Sequence, residues 1–389
     1  MQMTAIPEIL STLKRGGVVV VCDDTDRENE GDLVAAGEHA TPDVINFMLT
    51  HGRGMLFVAA DPETCDRLDL HPPGGRNTTQ RGTNYTISVD ATDRFGVTTG
   101  VSAADRSATI RRLASPEASA EDFDRPGHVQ PLRARDGGTL VRAGHTEALV
   151  DLMRAAGLRP VSVGIEVMNP DGTMARRPEL TKLCEAFDLP MCTVADVIEH
   201  RIARDRLVTR GTATPFTNAA GTWTLIPYAS EVDPFPHVAL VCGGLGERDG
   251  YGEPIEHDGP VLVRMHSQNL LGDVLGDISQ PSGDVLRESM RRIQERGRGA
   301  VVYLRHSGMG EGVLKELQTA RDAPATTLRH DHPSPGTGPA RGRMDYGIGC
   351  QVLRDLGVRQ IELLTSHTPP TMALAGFGLE IVGTVDPSA

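Results

Sequence analysis

The sequence predicts a mixed α/β protein of two domains. Three observations carry this. The chain has 389 residues, too many for a single core at about 150 residues per domain. Apolar β-branched runs alternate with amphipathic helical segments in both halves. Between the halves, Arg204-Asp205-Arg206 precedes Thr212-Ala213-Thr214-Pro215, a polar stretch of small residues. The boundary is placed at residue 205, giving domains 1–205 and 206–389.

In the first half, Ile9 to Leu13 reads as a short helix. Gly16 to Cys22 contains four consecutive valines and reads as a buried strand, since β-branched side chains pack well on a pleated surface. A polar loop follows from Asp23 to Gly31. Thr41-Pro42-Asp43 marks a helix start: the threonine can cap, and a proline in first position forfeits no hydrogen bond. Tyr85 to Asp90 alternates as a half-buried strand does, and Leu158 to Val167 gives another strand. His145 to Ala156 reads as a helix with Leu149, Leu152 and Met153 on one face. In the second half, Val238–Val241, Val261–Met265, Val285–Glu295 and Ala300–Leu304 continue the alternation of strand and helix. Asp322 to Gly342 has four prolines and three glycines in 21 residues and predicts a long loop.

The charge balance narrows the function. The 39 basic residues face 52 acidic ones, a net charge of −13, and only Lys14, Lys182 and Lys315 are lysines. Such a chain is poorly suited to non-specific nucleic-acid binding, which needs cations for the phosphates. No apolar run approaches the ~18 residues of a membrane span. The six cysteines are scattered, with no C-x-x-C pair. The expectation is a reduced, soluble, cytoplasmic protein without membrane or nucleic-acid partners.

Three segments carry chemistry. Asp23 to Asp32 holds six carboxylates in ten residues directly after a strand. Read alone, it is either a solvated acidic turn or an oxygen-rich site for a hard cation such as Mg²⁺. The calcium-loop template fails, because Asn29 stands where glycine is needed. Next, Arg125-Pro126-Gly127-His128 and Arg142-Ala143-Gly144-His145 each place an arginine three residues before a histidine across a glycine. Arginine offers a forked donor for phosphate, and histidine a proton carrier or metal ligand. With the polar Gly96–Gly100 segment these suggest a sugar-phosphate site, against the plainer reading of structural histidines. Finally, Glu166 lies in an apolar strand, where burial would raise its pKa toward the range useful for proton transfer unless a salt bridge holds it.

These motifs resemble 3,4-dihydroxy-2-butanone 4-phosphate synthase. Asp23–Asp32, Gly96–Arg106, Arg125–Val129, Gly144–Ala148 and Asp171–Arg176 occur in family order and cover about residues 5–203. The resemblance implies an α/β fold, a homodimer, Mg²⁺ or Mn²⁺, and conversion of D-ribulose 5-phosphate to formate and the four-carbon phosphate used in riboflavin synthesis. By motif position it implies Glu28 and His145 as metal ligands, with Arg27, Asp32, Arg142, Gly144 and Thr146 beside them on the substrate. Glu28, His145 and Glu166 would also touch substrate, and His128 and Glu166 would form the acid–base pair. Three positions depart from the family. Phe57 replaces a cysteine usually near the substrate, Gln130 replaces a phenylalanine, and Asn84 replaces a small residue. Phe57 and Gln130 read as a compensating exchange of volume or as a changed substrate.

From about residue 206 the chain resembles GTP cyclohydrolase II. Pro260–Ser267, Gly272-Asp273-Val274 and Asp345–Gly349 keep the scaffold. The three zinc cysteines of that family fall on Asn269, Gln280 and Ser282, none of which replaces a thiolate. His306–Gly310 stands in place of the arginine-rich phosphate segment. Gly342 and Met344 replace an aspartate and an arginine, and a lysine is missing from Thr365–Pro370. The expectation is a zinc-free second domain inactive on GTP, in which His266 is structural. Alternatives are a paralogue acting on another sugar phosphate and a non-catalytic binding or regulatory protein.

Overall fold

The computed structural model describes residues 3–23, 28–74, 77, 79, 82–230, 235–276, 281–305, 339–365 and 377–387. Two compact units are present, Met1–His200 and Arg201–Ala389.

The first unit runs α1 (Ile6–Lys14), β1 (Val19–Cys22), β2 (Gly31–Ala36), α2 (Pro42–Gly52), β3 (Arg53–Ala60), α3 (Pro62–Arg67) and β4 (Val89–Ala91). It continues with α4 (Ala103–Leu113), β5 (Phe123–Arg133), α5 (His145–Ala156), β6 (Val161–Val167), α6 (Arg177–Phe187), β7 (Met191–Thr193) and α7 (Val194–Ile202). The strands form one seven-stranded mixed sheet, ordered β4-β5-β3-β6-β2-β1-β7.

Strand alternation sorts the side chains into two layers. Leu33, Ala35, Leu56, Val58 and Ile165 join Ile45 and Met48 of α2 and Ile110 and Leu113 of α4 in one core. The opposite face lies against α5. There Gly164 leaves room that the Phe57 ring and Leu149 fill: a Cβ would stand 2.5 Å from Phe57 Cζ and 2.9 Å from Leu149 Cδ2. Register on this face pairs Phe57 with both Gly164 and Gln130, and Asp32 with Glu166. The sheet therefore brings two carboxylates side by side next to the helix that begins at His145.

Local signals explain most of the elements. Thr41 caps α2, its Oγ1 accepting from the Val44 amide at 3.3 Å. Helix α5 spans the predicted residues, and Leu149, Leu152 and Met153 are buried. Strand β1 starts only at Val19, because Gly16 takes a φ of +78° and the Gly17 amide returns to the Thr12 carbonyl. Strand β6 starts at Val161, just after Pro160. The Tyr85–Asp90 expectation needs correction. Strand β4 is Val89–Ala91, and Tyr85 makes an isolated bridge to Leu132. The Thr86 and Ile87 amides bond to Pro131 and His71 carbonyls, so no continuous ladder forms.

The second unit contains β8 (Val208–Arg210), β9 (Thr214–Asn218), β10 (Gly221–Ser230), β11 (His237–Cys242), β12 (Pro260–Ser267) and α8 (Leu270–Asp273). It is completed by α9 (Ser282–Arg296), β13 (Gly299–Leu304), α10 (Pro339–Asp355), β14 (Gln360–Leu364) and β15 (Glu380–Val385). Its eight-stranded sheet runs β15-β14-β12-β13-β11-β10-β8, with β9 on β10. Trp223, Leu262, Ile293, Val301 and Leu364 form its core beside α9. The long loop expected over Asp322–Gly342 is corrected at its end, where Pro339–Gly342 open α10 with proline in first position. The rest of that segment, and the Arg27, Gln280 and His306–Gly310 readings, lie outside the described residues, as does all of Thr365–Pro370 beyond Thr365.

All six cysteines are free. Among the described residues no helix is long and apolar enough to cross a membrane.

Candidate active site

The acidic loop is held at both ends. Asp23, buried at the end of β1, accepts from the Glu28 amide at 3.0 Å and the Glu30 amide at 2.9 Å. Arg176 reaches back across the sequence, its Nη1 donating to the carbonyls of Glu28 at 2.7 Å and Asn29 at 2.6 Å. The Asp171–Arg176 motif thereby clamps the loop. Asp171 itself shapes the turn before Arg176 by accepting from the Thr173 amide and hydroxyl.

This clamping delivers Glu28 to the start of α5. One donor atom each from Asp23, Glu28 and His145 lies within 4.8 Å of the others. His145 Nδ1 and Glu28 Oε2 are 3.8 Å apart, too far for a direct hydrogen bond. Two carboxylates and an imidazole make a donor set for a small, oxygen-preferring divalent cation. Beside it, the Asp32 carboxyl is buried and its Oδ1 has no hydrogen-bond partner. Burial pushes Asp32 up to about 7; His145 opposes the rise, and Glu166 and Glu30 add to it. A site holding a cation and a hydroxylated ligand would satisfy these groups, so the residues fit the metal that the resemblance implies.

Glu166 is held by the strand next door. Its Oε2 accepts from the Met55 amide at 2.7 Å. Gly54 makes this possible, because a Cβ there would lie 2.7 Å from the same oxygen. Burial raises the Glu166 pKa, while its backbone hydrogen bonds and His145 oppose the rise.

Arg142, Gly144 and Thr146 surround the beginning of α5. Arg142 Nη1 pairs with the buried Glu147 at 2.5 Å, and Nη2 donates to Thr83 Oγ1 at 2.9 Å. Gly144 precedes the helix, where a Cβ would stand 2.9 Å from both Arg142 Cζ and Glu147 Oε2. Thr146 is buried in the first turn.

The structure does not join every expected site residue. His128 lies on β5 and pairs with Asp90 of β4. Among the described residues no hydrogen bond or ion pair links it to Glu166. The sequence assigns no role to Asp23, Arg176, Gly54 or Asp90, although the first three lie inside segments that resemble the family, Gly54 in His51–Gly54.

Phe57 and Gln130 are neighbours in register. The Phe57 ring is buried, and Gln130 Nε2 donates to the carbonyls of Thr86 at 2.7 Å and Pro131 at 3.0 Å.

In the second unit, Asn269 and Ser282 are engaged in hydrogen bonds. Asn269 Oδ1 accepts from the Gly272 amide at 3.1 Å, and Ser282 Oγ donates to Asp273 Oδ1 at 2.6 Å. Asp273 also meets His266 Nε2 at 2.9 Å and accepts from Tyr303 at 2.7 Å. Burial works against its charge, but these hydrogen bonds prevail and hold its pKa down at about 2.

Comparison with known proteins agrees with the resemblance. Residues 7–200 match the family 3,4-dihydroxy-2-butanone 4-phosphate synthase, and residues 209–386 match GTP cyclohydrolase II. Riboflavin biosynthesis protein RibBA of Aquifex aeolicus is 41% identical over 385 residues, which are 99% of this chain and 92% of that protein. RibBA of Synechocystis is 42% identical over 383 residues, 98% of this chain and 67% of that one. Among solved structures, RibBX, a two-domain 3,4-dihydroxy-2-butanone 4-phosphate synthase from A. baumannii, aligns with TM-score 0.75 and 30% identity over 98% of both chains. A 3,4-dihydroxy-2-butanone 4-phosphate synthase in complex with two magnesium ions aligns with TM-score 0.50 and 41% identity, covering 52% of this chain and 99% of that one.

Proposed function

The chain belongs to the 3,4-dihydroxy-2-butanone 4-phosphate synthase family, joined to a GTP cyclohydrolase II-family second half, and we propose that it converts D-ribulose 5-phosphate to L-3,4-dihydroxybutan-2-one 4-phosphate and formate while its second half does not act on GTP. The observation that carries the first part is the convergence of Glu28 and His145 beside the paired Asp32 and Glu166. In this reading residues 1–205 form the synthase, which works in the cytoplasm as a homodimer, and residues 206–389 form the second domain.

Glu28 and His145 would hold Mg²⁺ or Mn²⁺, with Asp23 keeping the loop in place through its two amide contacts. The bound cation supplies charge stabilisation for oxygens of the sugar phosphate that become anionic during reaction. Asp32 and Thr146 position substrate hydroxyls. Arg27 and Arg142 meet its anionic parts, and Gly144 lets the ligand approach the backbone. The reaction begins with proton removal beside a carbonyl and proceeds through dehydration, carbon migration and loss of a one-carbon acid. Glu166, raised by burial, and His128 are the groups that exchange those protons. Purified chain with Mg²⁺ and ribulose 5-phosphate is expected to release formate. Silence with this substrate, in protein that turns over another ketose phosphate, would favour the paralogue reading; the internal packing of Phe57 on Gly164 speaks for the first.

The second part rests on Asn269 and Ser282. Zinc catalysis usually needs three protein ligands, and these two side chains are neutral and already hydrogen-bonded. Metal analysis is expected to find no stoichiometric zinc, and GTP is expected to yield neither formate nor pyrophosphate. One zinc per chain together with GTP turnover would refute this.

A further inference from the structure

The Gly96–Gly100 segment and the pair formed by His128 with Asp90 remain unexplained by the metal-centred cluster. They belong together. Asp90 on β4 grips His128 twice: one oxygen accepts from the His128 amide at 2.9 Å, and the other lies 2.6 Å from ring Nδ1. The carboxylate is largely buried, whereas the imidazole is 49% exposed. An exposed ring on a strand would ordinarily sample several rotamers. Here its backbone and ring are tied to the same carboxylate.

The glycine segment closes over this pair. Gly100 has φ +86°, and a Cβ there would stand 2.5 Å from His128 Nδ1 and closer still to Asp90 Oδ2. The loop is fixed by Asp105, which accepts from the Thr98 amide at 2.9 Å, the Thr98 hydroxyl at 3.0 Å and the Gly100 amide at 3.2 Å. Ser102 holds the Asp105 amide in turn at 3.0 Å. The polar residues of the motif thus serve to place one bare Cα against the Asp90–His128 pair.

We propose that Asp90 is the positioning residue of His128: its carboxylate accepts the Nδ1 proton, fixes the imidazole as the tautomer with Nε2 unprotonated, and so sets which nitrogen exchanges protons with substrate. The proposal rests on the reading that His128 carries a proton in the synthase reaction. The chemistry is forced by counting donors. An ionised carboxylate only accepts, and its two oxygens meet two N–H groups, one from the backbone and one from the ring. A carboxamide at the same place has one acceptor and one donor. With its oxygen on the His128 amide, its NH₂ faces Nδ1, which must then accept, leaving the proton on Nε2.

The test uses the full chain with Mg²⁺ and ribulose 5-phosphate. Asp90→Asn is expected to lower kcat roughly 10- to 100-fold, the range typical of groups that orient a catalytic histidine or ligand, with KM within about twofold of wild type. In a His128→Gln background the same change is expected to add less than about twofold, because the residue it positions is gone. Long-range ¹H–¹⁵N spectra give a readout without turnover. The His128 ring, assigned by its loss in His128→Gln, should be the Nδ1–H tautomer in wild type and shift to Nε2–H in Asp90→Asn. Should that variant fail to fold, the tautomer of the wild-type ring still decides, because Asp90 as an acceptor requires Nδ1–H there. Full additivity of the two substitutions, or an Nε2–H ring in wild type, would overturn the proposal. Absence of formate from the wild type would overturn only the synthase reading, because the tautomer is measured independently of it.

Discussion

His145→Ala is expected to abolish formate release from ribulose 5-phosphate, by about 10³-fold or more, and to remove tight Mn²⁺ binding measured by electron paramagnetic resonance. The magnitude follows from the several kcal/mol of charge stabilisation that a metal contributes in such chemistry, at about 1.4 kcal/mol per factor of ten. His145 is the first residue of α5, and its imidazole meets Glu28 at 3.8 Å. It also lowers the pKa values of Asp32, Glu166 and Glu30, so its loss leaves a group of carboxyls without that opposing influence. The fold should survive, because α5 is held by Leu149, Leu152 and Met153, all fully buried further along the helix. Glu28→Gln should reproduce the loss of Mn²⁺ binding. Normal Mn²⁺ binding in His145→Ala would show that the ligand set lies elsewhere.

How far the sequence discloses this site depends on the range of the interaction. Helix α5 is legible to the residue, because periodicity and the following Gly157 mark its limits locally. The Glu28, His145, Asp32 and Glu166 constellation is legible only through the motifs that resemble a known family. Nothing in 3.6- or 2-residue periodicity says that residue 32 pairs with residue 166. The supporting groups are less visible still. Arg176 holds a carbonyl 148 residues away in sequence, and the need for glycine at Gly54 shows only when Glu166 is seen against it. Asp90 sits in an alternating segment, and alternation cannot distinguish a ladder from extended chain whose amides bond elsewhere. That is why Tyr85–Asp90 reads as a longer strand than the one formed, and why the partner of His128 escapes notice. In the second half, composition at Asn269 and Ser282 tells what is lost from a zinc site, whereas their hydrogen bonds in α8 and to Asp273 emerge only from the packed structure.

Glu166→Gln separates proton transfer from metal binding. The substitution keeps the side-chain shape, and the amide oxygen can still accept from the Met55 N–H that now bonds to Glu166 at 2.7 Å. What it removes is a titrating group that burial has moved toward neutral pH. The expected result is a fall in kcat of about 10²- to 10³-fold, within the range for general acid–base groups, with KM and Mn²⁺ binding close to wild type. Stability is expected to move the other way. Glu166 stands beside buried Asp32 and is one of the causes that raise it, so removing its charge relieves a like-charge contact. The expected gain is about 0.5–1 kcal/mol in unfolding free energy, the lower end of the range for single stabilising substitutions. Loss of Mn²⁺ binding together with activity would make Glu166 a metal ligand instead. Full activity in Glu166→Gln would leave His128 to exchange the protons alone, a result that the paired carboxylates at the mouth of α5 argue against.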